Sequence, residues 1–171
     1  MIFFKHHLTG DTRISRSSRE TYIPHAFQPV GRKSIRRSRY EAGSTGETLT
    51  VDHFDEADVS VGDIFNIGEV VAQATYPRIP CGKVNFRMQH ENAKTAMEDC
   101  GRSGVYLRIL VPGLIHSSDQ VVRAERAEHT FLISRLYELV IKNQSPTPQE
   151  LESAKCNPAF KAKQISKWEQ A

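Results

Sequence analysis

"DIFNIGEVVAQATYPRIPC", residues 63 to 81, decides how the chain is read. Asp63 to Ile67 predicts one strand and Gly68 a turn. Val70, Ala72, Ala74 and Tyr76 alternate on the return, so the stretch predicts a β-hairpin. The hairpin runs into Pro77 and Pro80, which stiffen the backbone, bar a helix and leave Cys81 at a strand end before Gly82. Gly82 permits close approach of a partner. Arg78 and Lys83 would favour the thiolate, the nucleophilic and metal-binding form of Cys81. A soft sulfur suits metal–sulfur chemistry, but a cysteine at a tight corner can equally be a small buried hydrophobe.

Outward from the hairpin the texture stays β-rich. "TLTV" (48–51) is a β-prone run, and "DHFDEADVSVGD" reads as a connection closing on a turn. "SGVYLRILVPG" (103–113) predicts the clearest strand, with Val105, Leu107, Ile109 and Val111 facing one way. Pro112-Gly113 predicts a type II turn, Gly113 taking φ > 0, and "DQVVRAER" (119–126) the next strand. Short strands at close spacing point to a barrel or curled sheet. Between them, "NFRMQHENAKTAMEDCGRSG" predicts two short helices, with Met88, Ala93, Ala96 and Met97 inward and Gly101 ending the second.

After Glu128 the pattern turns helical. Phe131, Ile133 or Ser134, Leu136 and Leu139–Val140 fall near one face of the first helix. Thr147, Pro148 and Glu150 form a capping box for the second. Asn157 is expected to cap the third, with Pro158 as its first residue and Phe160, Ile165 and Trp168 inward. Cys156 is expected in the loop between them as a partly buried spacer. Helices this short must bury their faces on one another or on the sheet.

The composition, 39% hydrophobic and 25% charged over 171 residues, fits one domain plus a small appendage. No apolar run approaches the length of a membrane helix. "MIFF", followed at once by Lys5, His6 and His7, is too short for a signal peptide. The three cysteines, Cys81, Cys100 and Cys156, are widely spaced and lack a Cys-x-x-Cys pair, which argues against a disulfide framework or a four-ligand zinc site and for a reducing cytoplasm. The charge is uneven: residues 1–46 carry nine Lys/Arg against three Asp/Glu, out of totals of 23 and 20. Arg32, Lys33, Arg36, Arg37 and Arg39 concentrate it in a Ser/Arg-rich segment without periodicity. Such a run suits an anion, an acidic membrane or nucleic acid, but its sparse aromatics favour a solvated arm.

Other candidate groups are weaker. "GSTGET" lacks the Gly-Lys-Ser/Thr ending of a phosphate loop, and no Gly-x-Ser-x-Gly elbow occurs. His53 and His129 flank the strand region as lone histidines. Glu47, after Gly46, could present a carboxylate beside a pocket. Arg102 sits in a Gly-flanked loop before the strongest strand, a reasonable anion-binding arrangement.

Taken together, "TGETLTV", "DVSVGDIFNIGEVVAQATYPRIPC" and "CGRSGVYLRILVPG", in this order, resemble the MOSC domain, named for the C-terminal part of molybdenum cofactor sulfurase. The tail through Trp168 resembles the three-helix C-terminal domain of the family's YiiM-type branch. The resemblance covers roughly Gly43 to the end. It implies a diverged basic segment over 1–42, a MOSC-type β-barrel over 43–127 and a three-helix domain over 128–171. Members hold a molybdenum–pterin cofactor through a cysteine sulfur, here matched by Cys81. Gly46, Glu47, Arg78, Pro80, Arg102 and Gly104 match the family's cofactor-binding positions, although Thr48 replaces the Asn of a Gly-Glu-Asn corner. The family is also associated with pyridoxal phosphate binding. The branch implies a molybdenum-dependent oxidoreductase, reducing N-hydroxylated compounds such as hydroxylaminopurines with electrons from a flavin-reductase-type partner.

The front half departs from the family. "FFKHHLTGDTRISR" resembles the early strand, but neither a Gly-Asp-x-Gln-Ala-Asp stretch nor a His-Gly-Gly-x-Asp-Lys-Ala segment follows. Loss of two barrel segments implies an incomplete barrel with open edges. Two rival readings follow: a module that carries cofactor or sulfur without turnover, and a degenerate copy whose basic arm binds nucleic acid.

Overall fold

The computed structural model describes residues 12–14, 21–23, 45–51, 54, 56–116 and 118–170. The polybasic run of residues 32–39 and His53 lie outside the described residues. Strand β1 (Thr12–Ile14) pairs antiparallel with β6 (Gly113–Ile115). Strands β2 (Thr21–Ile23), β3 (Ile64–Ile67), β4 (Val70–Pro77), β5 (Val105–Val111) and β7 (Val121–Glu125) form an antiparallel sheet in the order β2-β5-β4-β3-β7. Among the described strands this sheet does not close on itself. The expected fold class holds: a sheet-rich antiparallel architecture, not closed among the described strands, followed by helices.

The β3–β4 hairpin forms as its alternation requires. Ile67 pairs with Val70 across Gly68, whose φ is +54, and Val70, Ala72 and Ala74 are fully buried. A register shift between Ala74 and Tyr76 breaks the alternation, so Thr75 is buried and Tyr76 only half-buried. On β5, Val105, Leu107 and Ile109 face the core as expected, but Val111 is half-exposed where the strand passes a second register shift. Deleting most of a buried side chain such as Ile67, 0% exposed, costs about 2–5 kcal/mol.

Three local expectations are corrected. "TLTV" contributes only a single bridge residue, Thr50, although Leu49, Thr50 and Val51 are buried. Gly113 is not among the positive-φ residues; it opens β6 opposite Ile14, where an added Cβ would stand 2.4 Å from the Cβ of Glu69. Close packing, not turn geometry, is therefore what requires glycine there. Thr12–Ile14 lies within the stretch expected as an early strand, whereas Thr21–Ile23 is a strand in the segment that shows no local period, because long-range pairing overrides local sequence.

Helices α1 (Lys83–Arg87) and α2 (Ala93–Cys100) bury Val84, Met88, Ala93 and Met97 in a small cluster of their own, with Ala96 half-buried. Gly101 ends α2 in the left-handed region, φ +67, as expected. Helix α3 (Ile133–Ile141) packs on β4. Helix α4 (Pro148–Cys156) begins with the expected capping box: Thr147 Oγ1 accepts from Glu150 N, and Glu150 Oε2 accepts from Thr147 N.

Helix α5 runs from Ala162 to Glu169, so Pro158 does not start it. Asn157 instead ends α4 and turns the chain, its Oδ1 accepting from Ala159 N. Its Nδ2 donates to Val61 O at 2.7 Å and His129 O at 3.0 Å, pinning the helical region to the start of the sheet. Cys156 is the last residue of α4 and is exposed, rather than a part-buried loop spacer. Phe131, Phe160 and Trp168 meet ring to ring within the hydrophobic core that also holds Phe65 and Leu107.

Candidate functional site around Cys81

Strand β4 ends at Pro77, and Arg78 to Cys81 cross to α1 as an irregular corner. Pro80 is buried, while Cys81 and Gly82 are exposed. The corner is closed by local bonds: Cys81 O accepts from Val84 N at 2.9 Å and Gly82 O from Asn85 N at 3.1 Å. A Cβ built on Gly82 would meet nothing within 4 Å, so the space beside the thiol is open.

Arg78 holds this corner from beneath. It is only 7% exposed, and its guanidinium points to Thr45: Nη2 donates to Thr45 O at 2.8 Å and Nη1 to Thr45 Oγ1 at 3.3 Å. Thr45 Oγ1 in turn donates to Glu47 Oε2 at 2.7 Å. Between them Gly46, with φ +87, lies against Arg87 of α1; an added Cβ would come 3.2 Å from Arg87 Cδ. A side chain there would be strained and would press on the arginine.

The other flank is the Ser103–Gly104 loop. Arg78 N donates to Gly104 O at 2.8 Å, and Ser103 Oγ donates to Arg78 O. Gly104, at φ +97, donates its N–H to Glu56 Oε1 at 2.7 Å. Three stretches distant in sequence, residues 45–47, 56 and 103–104, thus converge on the corner that carries Cys81. Of the expected positions, Gly46, Glu47, Arg78, Pro80 and Gly104 are gathered here.

Arg102 goes elsewhere. The residue helps line a half-enclosed cavity of about 230 Å³ with Glu56, Cys100, Gly101, Tyr137 and Lys142. Cys81 is not among that cavity's walls. Burial pushes the Cys100 thiol up, despite the Arg102 N–H at 3.4 Å from its sulfur, and burial likewise pushes the Tyr137 phenol up. Among the described residues the bond that His129 makes is through its main-chain carbonyl, which accepts from Asn157 Nδ2 at 3.0 Å.

The sequence reading missed Thr45, Glu56 and Ser103. Ser103 stands between Arg102 and Gly104, but nothing local marks it as the partner of a carbonyl 25 residues earlier. Glu56 lies in "DEAD", which reads as a solvated connection, yet it is 4% exposed.

The donor set fits a cofactor whose metal arrives on its own organic ligand. Among the described residues no group of three or more His, Cys, Asp or Glu side chains is placed to hold a bare ion. What the corner offers is one exposed soft sulfur, open space over Gly82, and the exposed cations Lys83 and Arg87 for an anionic group. No helix of the described residues is long and apolar enough to cross a membrane.

The family model described as the MOSC domain matches residues 5–122, which takes in the front segment as well as the hairpin and β5. Protein YiiM of Escherichia coli strain K12 is 33% identical over 76 residues, 44% of this chain and 34% of that protein. A protein named reductase from Gibberella moniliformis strain M3125 / FGSC 7600 is 33% identical over 88 residues, 51% of this chain and 16% of that protein. The chain thus spans about a third or less of the length of these curated relatives. The crystal structure of YiiM from Geobacillus stearothermophilus superposes with a TM-score of 0.67 at 28% identity, covering 77% of this chain and 67% of that one. With the family model matching well over half of its length, the chain belongs to the MOSC domain family.

Proposed function

We propose that this chain holds a molybdenum–pterin cofactor through the sulfur of Cys81 and reduces N-hydroxylated compounds of the hydroxylaminopurine kind. The observation that carries this reading is the exposed Cys81 on a corner braced by Arg78, Thr45 and Gly104. A metal ligand needs such bracing, because positioning errors of the first ligand are felt directly in affinity. Membership of the family and a relative named reductase support it.

The overall change is the cleavage of an N–O bond: R–NHOH, two electrons and two protons give R–NH2 and water. The cofactor, when bound, supplies a metal centre that passes electron pairs to such a bond. The chain's own part is to position and to exclude. Cys81 provides the sulfur, and Pro80 and the Arg78–Thr45 bonds keep its corner from moving. Lys83 and Arg87 give the neighbouring surface a positive potential suited to a phosphate-bearing ligand. The electrons come from a protein partner of flavin-reductase type. Three cysteines without disulfide bonds suit a reducing compartment, and we place the protein in the cytoplasm. Neither a membrane nor nucleic acid has a part in this reading.

Turnover tests it. Cofactor-loaded protein, supplied with NADH and a flavin reductase, is expected to convert 6-hydroxylaminopurine to adenine, and Cys81→Ser to stop the conversion. Cofactor retention without conversion would overturn the reductase reading and leave a carrier module.

A further inference from the structure

The corner that carries Cys81 is only as firm as the loop that grips it. The main chain of Arg78 is held from both sides by that loop: Arg78 N donates to Gly104 O at 2.8 Å, and Ser103 Oγ donates to Arg78 O. The link from α2 to β5 has glycines at both ends, Gly101 at φ +67 and Gly104 at φ +97, so it brings little stiffness of its own. A buried carboxylate supplies what the glycines lack. Glu56 is 4% exposed, and its Oε1 accepts from Gly104 N at 2.7 Å.

Glu56 is in turn placed by helix α3. Its main-chain O accepts from Ser134 N at 2.9 Å in the first turn of that helix, and the preceding Ile133 N donates to Val59 O at 2.9 Å. Keeping a carboxylate out of water is costly, and a neutral carbonyl would also satisfy the Gly104 N–H. A charged acceptor makes a shorter bond, about twice as strong as a neutral one, which is what a glycine-ended link needs to stay in place. Tyr137, also on α3 and 2% exposed, sets its phenol against the Ser103 hydroxyl. Helix α3 thus reaches both residues of the gripping loop, Gly104 by way of Glu56 and Ser103 by way of Tyr137.

We infer that Glu56 is a positioning residue for Cys81: acting through Gly104 and Arg78, it sets the corner that carries the sulfur and makes the seat of α3 part of that setting. The inference rests on the metal-ligand reading for its purpose but not for its mechanics, so the two fail separately.

The test is residue-resolved hydrogen exchange on the full chain, wild type beside Glu56→Ala, Glu56→Gln and Glu56→Asp. The amides that report on the corner are those of Arg78, which donates to Gly104 O, and Val84, which donates to Cys81 O; those of Leu151 and Asn157, bonded within α4 and its end, are the reference. Glu56→Ala is expected to speed exchange at Arg78 and Val84 about tenfold or more and to leave the reference amides unchanged. Glu56→Gln keeps an acceptor of the same reach and should restore most of the protection. Should the alanine variant not fold, Glu56→Asp, with the charge kept and the reach shortened, is expected to give the same pattern at smaller amplitude. Exchange at Arg78 and Val84 that matches wild type, a rise shared equally by the reference amides, or no rescue by glutamine overturns the positioning role. Molybdenum is measured on the same proteins, purified from a host that makes the cofactor, and is expected to fall in Glu56→Ala and recover in Glu56→Gln. The expected exchange pattern with no molybdenum in wild type removes the cofactor reading alone; molybdenum in wild type without that pattern removes the positioning role alone.

Discussion

Arg78 donates from Nη2 to the main-chain carbonyl of Thr45 at 2.8 Å, a bond that spans 33 residues and ties the end of β4 to the segment before the buried Leu49–Val51 run. Both partners are buried, so nothing in water replaces the bond if it is lost. Arg78→Ala is expected to destabilise the fold by about 3 kcal/mol, as a lower urea midpoint with unchanged slope. Arg78→Lys keeps the charge but not the planar fork and should recover only part of that loss. A midpoint for Arg78→Ala within error of wild type would remove the brace from the account.

Asn157 is the corresponding node for the helical region. Asn157→Ala strips the carbonyls of Val61 and His129 and the N–H of Ala159 of their partner, and should cost about 2–3 kcal/mol. Gly62, at φ +98, lies under the same amide; an added Cβ would stand 3.2 Å from Asn157 Oδ1 and 3.1 Å from Ala127 Cβ. Gly62→Ala should therefore destabilise too, by about 1 kcal/mol or more. The double variant is expected to lose less than the two losses together, because the first change already releases the contact that the second distorts. Strict additivity in chemical denaturation would show the two sites to be independent.

Glu150 gives the fold a defined acid response. Its carboxyl is held below the ordinary 4.5 first by Arg135, whose Nε is 2.7 Å away, and further by the Thr147 N–H. A carboxylate with a lowered folded-state pKa stabilises the protein above the ordinary value and loses that contribution as pH falls through the lowered one. Wild type should thus be more stable than Glu150→Gln at pH 7, by a few tenths to about 1 kcal/mol for a part-exposed pair. The difference should shrink below pH 4.5. Urea midpoints of both proteins at pH 7 and pH 3 measure it; a difference that grows on acidification contradicts the assignment.

What the sequence discloses is what repeats locally or is chemically singular. Val70, Ala72 and Ala74 announce β4 because one face of a strand is buried at every second residue. Gly101 and the Thr147–Glu150 pair announce helix ends because their chemistry is satisfied within a few residues. Asn157 misleads for the opposite reason: followed by a proline it looks like a cap, while its principal partner, Val61, lies 96 residues away. Gly113 misleads in the same manner, as its need for a bare α-carbon is set by Glu69 across the packing. At the candidate site Cys81, Pro80 and the glycines can be read from their neighbours. The inward turn of Arg78, and the parts of Thr45 and Glu56, follow only from the long-range folding of three segments onto one corner.

The most direct measurement is the molybdenum and pterin content of protein purified from a host that makes the cofactor, wild type beside Cys81→Ser, with folding verified by thermal unfolding. The account predicts that wild type retains both and that the serine variant, equally folded, loses both. Negligible molybdenum in each, or equal molybdenum in the two, contradicts it.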